Sequence, residues 1–126
     1  MATETRKTPQ RAAVLDALHQ ARAPLSASEI HDAAARRVPG IGLATVYRAL
    51  KSLVDGGEVV SVVLPGDTPR FEVADLAHHH HFHCRECGKV FEVEGCPPNL
   101  ARLAPRGFAL EGHELVLYGR CMGCVA

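Results

Sequence analysis

Tryptophan is absent from this 126-residue chain, and aromatic residues make up only 5% of it. A core must therefore be built from Leu, Val, Ala and Ile, without the large rigid rings that dominate many protein interiors. Long apolar runs are also missing. No stretch approaches the roughly 18 residues of a membrane span, so no membrane partner is expected. The segment from Met1 to Gln10 is polar and lacks the apolar run of a secretory signal, which makes a cytoplasmic location the expectation. Neither sign of charge is in excess, with 14 Lys and Arg against 14 Asp and Glu. No internal repeat or low-complexity tract is evident. What is present, 47% hydrophobic and 22% charged residues, is the composition of a globular protein. The length allows one ordinary domain or two small ones.

The charge balance hides an asymmetry. Residues 1–51 carry eight Lys and Arg against four acidic residues, so the first part is +4 and the remainder −4. A mildly basic N-terminal lobe suits nucleic acid. It is not basic enough for tight non-specific binding, so DNA affinity would require dimerisation and a specific site.

Apolar periodicity predicts three helices. Thr8-Pro9 reads as an N-cap followed by Pro at the first helical position, with Ala13, Val14, Leu15, Ala17 and Leu18 on one face through about Gln20. Ala23-Pro24 ends that helix. Ser26-Ala27-Ser28-Glu29 is a capping box opening a second helix, with Ile30, Ala33 and Ala34 inward, that stops before Pro39-Gly40. A third helix starts near Gly42 and runs through Val46, Leu50 and Leu53 to Gly56-Gly57. Glu58 to Leu64, a turn at Pro65-Gly66-Asp67, and Arg70 to Val73 read as a β-hairpin. Three helices and a hairpin are the order of a winged helix-turn-helix, and equally of other small α+β domains; pattern alone does not choose.

Asp75 to Ala77 reads as a hinge. The predicted organisation is two lobes, residues 1–74 and 78–126, joined by the hinge at 75–77. In the last, strands are predicted at His79 to Cys84, Lys89 to Val93 and Phe108 to Gly119, with a short helix around Asn99 to Ala104. The expected fold class is α+β, three helices and a hairpin followed by a small α/β domain.

Five cysteines and eight histidines are many for this length, and seven of the 13 lie between His78 and Cys87. An odd cysteine count without a secretory signal favours metal ligands over disulfides. Cys84-Arg-Glu-Cys87 and Cys121-Met-Gly-Cys124 are two CxxC pairs. Two intervening residues let both sulfurs reach one ion at about 2.3 Å, and four thiolates form the closed tetrahedral site of structural zinc. Neither pair opens a helix after a strand, as a thioredoxin-like redox pair would. The fifth, Cys96, reads as a small buried residue in preference to a further metal or redox ligand.

His78, His79, His80, His81 and His83 precede Cys84 directly. Alternation along a strand puts His79 and His81 on one face and His78 and His80 on the other, which can feed two metal sites. Glu72, Glu92 and His113 lie on neighbouring predicted strands and could complete them. Imidazoles with carboxylates suit zinc, ferrous iron, manganese or nickel. The HExxH and deaminase-type patterns of catalytic zinc do not occur, so sensing is the better reading and no enzymatic activity is expected.

Thr8-Pro-Gln-Arg11, Gly42-Leu-Ala-Thr-Val-Tyr-Arg48, Phe71-Glu72, the His78 to Cys84 run, Cys87-Gly-Lys-Val90, and His113 through Tyr118-Gly119 to Cys121 together resemble the ferric uptake regulator family over nearly the whole chain. The resemblance implies a homodimeric repressor that binds an AT-rich inverted-repeat operator in double-stranded DNA when metal is bound, with residues 1–74 as a winged helix-turn-helix DNA-binding domain, 75–77 as the hinge, and 78–126 as a small α/β metal-binding dimerisation domain with a four-cysteine zinc site. Tyr47 and Arg48 match the family's DNA-contacting pair, with Thr45 and Lys51 as neighbours and Arg11 as a phosphate contact. Cys84, Cys87, Cys121 and Cys124 match its structural zinc site. Glu72, His79 and His81 match its regulatory hinge site, joined by Glu92. His78, His80 and His113 match a second site. The regulatory ion is expected to be Zn2+ or Fe2+. The four consecutive histidines are similar to zinc-sensing members, where iron-sensing members often read His-His-Asp-His. Glu92 stands where the peroxide-sensing branch carries Asp, which argues against peroxide sensing. Three departures are visible: Pro24 replaces a usual histidine of the hinge site, Asn99 falls near a usual carboxylate, and the usual helix before Thr8 is nearly missing. Outside the family, a metal-buffering protein is the competing reading; the DNA-contacting pattern of the third helix argues against it.

Overall fold

In the computed structural model, residues 8–74 and 76–125 are described. The polar segment Met1 to Lys7, where the family's usual first helix would fall, and Asp75, the first hinge residue, lie outside them. The chain forms two compact units, Met1–Leu76 and Ala77–Ala126. The architecture is α+β, and among the described residues no helix is long and apolar enough to cross a membrane.

The first unit runs α1 (Pro9–Ala21), β1 (Leu25–Ser26), α2 (Ala27–Ala35), α3 (Leu43–Asp55), β2 (Val59–Val62) and β3 (Arg70–Val73). The helix starts follow the predicted chemistry. Thr8 Oγ1 accepts from the Arg11 amide with Pro9 in the first turn, and Ser26 and Glu29 close both halves of the capping box. Helix α3 begins after Gly42 without a side-chain cap. Val14 and Leu18 of α1, Ile30 of α2, Val46, Leu50 and Leu53 of α3 and Val59 of β2 form the core.

One strand went unforeseen. Leu25-Ser26 is too short to show any periodicity, yet it pairs antiparallel with β3, which also pairs with β2. The sheet order β1-β3-β2 therefore sews the hairpin to the start of α2. Buried Arg70 reinforces the seam. Its guanidinium reaches Asp67 at 2.5 Å and Glu29 at 2.6 Å, and the same Glu29 oxygen accepts the Ser26 amide at 2.9 Å. Replacing Ser26 by alanine removes one half of this cap. It is expected to cost about 1 kcal/mol, read as a fall in Tm of roughly 4–8 °C for a domain of this size. An unchanged melting curve would show that Glu29 and Arg70 hold the helix start without it.

The second unit runs β4 (His80–Cys84), β5 (Val90–Val93), a 3-10 turn at Leu100–Leu103, β6 (Val116–Gly119) and the single helical turn α4 (Met122–Val125). Strand β4 is central, antiparallel to β5 and parallel to β6. The predicted long strand from Phe108 is corrected to four residues. Strand β4 offers partners only for Val116 to Gly119, and Phe108 upstream is 71% exposed. The predicted helix at Asn99 to Ala104 is a 3-10 turn. Among the described residues, the buried members of this unit are His80, Cys84 and Val90. So small an apolar core does not sustain a domain of this size by itself.

Candidate metal centres and the exposed face of the third helix

The cysteine pairs converge. Cys84 ends β4, Cys87 follows in the turn, Cys121 follows β6 and Cys124 lies in α4. The parallel pairing of β4 with β6, Cys84 opposite Gly119, is what brings together residues 34 or more positions apart in sequence. All four sulfurs lie within 4.8 Å of one another, and those of Cys87 and Cys121 are 3.8 Å apart. A tetrahedral ion with bonds of about 2.3 Å requires sulfur separations of about 3.8 Å, so the donor set fits a divalent ion of that kind.

The polar surroundings agree. Amide groups of Cys87 and Cys121 donate to the Cys84 sulfur at 3.4 and 3.3 Å, and hold its thiol down to about 6. Hydrogen bonding with Cys121 and then burial push the Cys124 thiol well above its ordinary value. The Lys89 amide pulls the Cys87 thiol down, but sharing with Cys84, burial and Cys121 outweigh it and leave Cys87 raised. Four clustered thiols thus share few negative charges until a cation compensates them. Gly88, at φ 79°, closes the first turn with its amide on the Cys84 carbonyl at 3.0 Å.

The histidines separate by strand alternation. On one side of β4, His79, His81 and Glu92 hold their ligand atoms within 4.8 Å of one another. His81 faces Glu92 across β4 and β5, and His79 Nε2 lies 3.3 Å from Glu92 Oε2. His79 Nδ1 donates to the Ala77 carbonyl at 2.7 Å. That bond fixes the tautomer with its lone pair on Nε2, the usual outer support of a metal-binding imidazole. Glu72, expected in the same set, is a buried residue of β3 in the first unit, opposite Val60. Pro24, in place of the usual histidine, is buried and offers only its carbonyl, 3.4 Å from Arg70 Nη1.

On the other side, His78, His80 and His113 meet. The His78–His113 and His80–His113 Nε2 separations are 3.0 and 3.2 Å. Burial first, then the neighbouring imidazoles His78 and His113, pull the His80 pKa below its ordinary value. The Leu115 amide donates to His80 Nδ1 at 3.2 Å, so the ring proton sits on Nε2. Ligation through Nε2 moves that proton to Nδ1 and forfeits the Leu115 contact. His80 is thus the member of the cluster with most to rearrange.

Cys96 corrects the sequence reading. It is exposed rather than buried, and it sits among these histidines. Its sulfur lies 2.9 Å from His113 Nε2, 3.3 Å from His80 Nε2 and 3.7 Å from His78 Nε2. Gly95, at φ 88°, turns the chain after β5 to bring it there. Its adjacency to no CxxC partner hid it, and only the signal of an unpaired cysteine pointed to it.

Helix α3 carries the expected contact residues on its outer face. Tyr47, Arg48 and Lys51 are spaced along one side and exposed, Tyr47 by 54%, and Thr45 beside them is half-buried. This exposure removes core packing as the role of Tyr47. Arg48 Nη2 donates to Thr45 Oγ1 at 3.0 Å, and Lys51 pairs with Asp55 at 3.4 Å. Arg11 is placed differently from its expected role. Its guanidinium is occupied by Glu58 at 2.5 Å and Ser52 at 3.4 Å, which ties α1 to the end of α3.

Comparison with known proteins agrees with this geometry. The family model described as "Ferric uptake regulator family" matches residues 2–118. The "Ferric uptake regulation protein" of Campylobacter jejuni is 37% identical over 89 residues, 67% of this chain and 55% of that protein, so the match spans only about half of the relative. The "Peroxide operon regulator" of Bacillus subtilis is 32% identical over 126 residues, 97% of this chain and 86% of that protein. Among solved structures, the Vibrio cholerae ferric uptake regulator superposes with a TM-score of 0.71 at 32% identity, covering 92% of each chain.

Proposed function

Since this chain belongs to the ferric uptake regulator family, a family of metal-responsive transcription regulators rather than enzymes, we propose that it is a zinc-responsive, homodimeric repressor acting on metal-homeostasis genes. The observation that carries the reading is the division of one histidine run into two donor clusters beside a four-cysteine set. An exposed Tyr47, Arg48 and Lys51 on a helix-turn-helix supports the DNA-reading half.

In this reading Cys84, Cys87, Cys121 and Cys124 hold a structural zinc ion in the second unit. His79, His81 and Glu92 hold the sensed ion, and the resemblance adds Glu72. A ligand from each unit would make occupancy a restraint on the DNA-reading unit. Restrained readers in a dimer match half-sites spaced along one face of an AT-rich operator, so occupancy favours the DNA-competent state. Arg48 and Tyr47 read the groove, and Thr45 orients Arg48. Lys51 supplies phosphate attraction, to which Arg11 would add only by releasing Glu58.

Iron is the second reading, followed by manganese or nickel, because His and Glu ligands also suit those ions. Names of relatives do not choose, since ferric uptake and peroxide regulators match at similar identity. The test is fluorescence anisotropy of chelator-treated protein on its own promoter DNA, titrated separately with zinc, ferrous iron and manganese at fixed salt. Zinc is expected to switch binding on at the lowest free concentration. Arg48→Ala is expected to weaken the metal-loaded complex by roughly 5–150-fold, the worth of about 1–3 kcal/mol in a groove contact. A lower threshold for iron would replace zinc as the sensed ion. DNA affinity indifferent to every metal would leave metal buffering as the better account.

A further inference from the structure

We propose that Cys96 is the anionic ligand of the second metal site, completing a three-histidine, one-thiolate set with His78, His80 and His113, and that this set selects zinc over ferrous iron and manganese.

The geometry carries the assignment. Four donor atoms, one sulfur and three imidazole nitrogens, lie within 4.8 Å of one another, and the sulfur is within 3.7 Å of every nitrogen. The residues come from three separate stretches: the lead into β4, the loop after β5, and the segment before β6. Local chemistry aims Cys96 inward. Gly95 takes a φ of 88° that a side chain would strain, and Pro97-Pro98 restricts the chain on the other side. A thiol placed at random on an exposed loop has no reason to lie in contact with three imidazoles.

The donor set also decides which ion. Three neutral imidazoles leave a dication's charge uncompensated; one thiolate halves it. Among the described residues no carboxylate belongs to this cluster, whereas manganese and ferrous iron favour sites richer in oxygen. Nitrogen and sulfur in fourfold coordination are the preference of zinc. Asn99, where the resemblance leads one to seek a carboxylate, is exposed in the same loop. The thiolate therefore supplies the negative charge that the three imidazoles do not.

The inference rests on the metal-binding half of the proposed function and is tested without DNA, so either can fail alone. Protein with zinc already in the four-cysteine set is titrated with cobalt(II) and followed by absorption. The three donor sets differ in sulfur content, with four, none and one. Cobalt at the site proposed here must bring a thiolate-to-cobalt charge-transfer band in the near ultraviolet together with tetrahedral visible bands. Cys96→Ala is expected to lose the charge-transfer band and to weaken zinc binding at this site by at least about 100-fold, beyond the ~10–100-fold typical of a residue that merely supports a ligand. Cys96→Asp is expected to keep cobalt binding without the band and to narrow the preference for zinc over iron and manganese. Both variants should retain the helical circular dichroism and the zinc of the four-cysteine set. Cobalt spectra identical in the wild-type and Cys96→Ala proteins would overturn the assignment. Unchanged zinc preference in Cys96→Asp, despite loss of the band, would overturn the selectivity.

Discussion

Replacing Cys84 with serine is expected to unfold the second unit, release one zinc ion per chain and dissociate the dimer, while the first unit stays folded. The second unit buries little apolar surface, and Cys84 is itself one of its three buried residues among those described. Structural zinc in small domains contributes about 10–16 kcal/mol of apparent binding free energy, which is folding free energy where no preformed site exists. Cys84 is also the residue onto which the Cys87 and Cys121 amides converge, so its loss leaves two turns without their organising acceptor. The three long helices, α1 to α3, belong to the first unit. Far-ultraviolet circular dichroism should therefore change little, while hydrogen exchange at β4 to β6 becomes fast and gel filtration reports a monomer. The control is Cys96→Ser, which should leave both the dimer and the zinc of the four-cysteine set in place. A folded, dimeric Cys84→Ser protein would sink the structural-zinc assignment.

The second large effect is expected from His79→Ala combined with His81→Ala. The metal-loaded and metal-free proteins should then bind the promoter with the same affinity, where the wild-type ratio is on the order of 5–150-fold, the range of couplings of about 1–3 kcal/mol. The sensed ion would lose both of its imidazole ligands. Dimerisation and the zinc of the four-cysteine set should persist, because the four cysteines form a donor set that shares no residue with this cluster. Linkage supplies an independent check: operator DNA should tighten metal binding to the wild-type chain by the same factor and leave the double variant unaffected. Retention of the wild-type metal ratio by the double variant would end the regulatory role of this site.

These expectations grew from features of unequal legibility. Helix starts were readable because their chemistry is local: Thr8-Pro9 and Ser26 to Glu29 satisfy their own backbone amides within four residues. The hairpin was readable from alternation and a Pro-Gly-Asp turn. Strand β1 was not, since two residues carry no period and the partners of Leu25 and Ser26 are the distant Phe71 and Arg70. Strand β6 is shorter than expected for a related reason: only Leu115 to Tyr118 alternate clearly, and which residues upstream find a partner on β4 is decided by the register of the pairing, which begins at Val116.

By itself, the sequence determined the donor inventory and its periodicity. Two CxxC pairs, a histidine run that a strand must divide between two faces, and a helix bearing Tyr47, Arg48 and Lys51 on one side follow from spacing and stereochemistry alone. Tertiary structure decided which donors actually meet. The parallel register of β4 and β6 unites the two cysteine pairs, the turn at Gly95 delivers Cys96 to three histidines, and the Glu58 pairing withdraws Arg11 from the surface. Each of these joins residues more than a dozen positions apart, and such contacts are fixed by chain closure and packing, for which no local pattern is a sufficient guide.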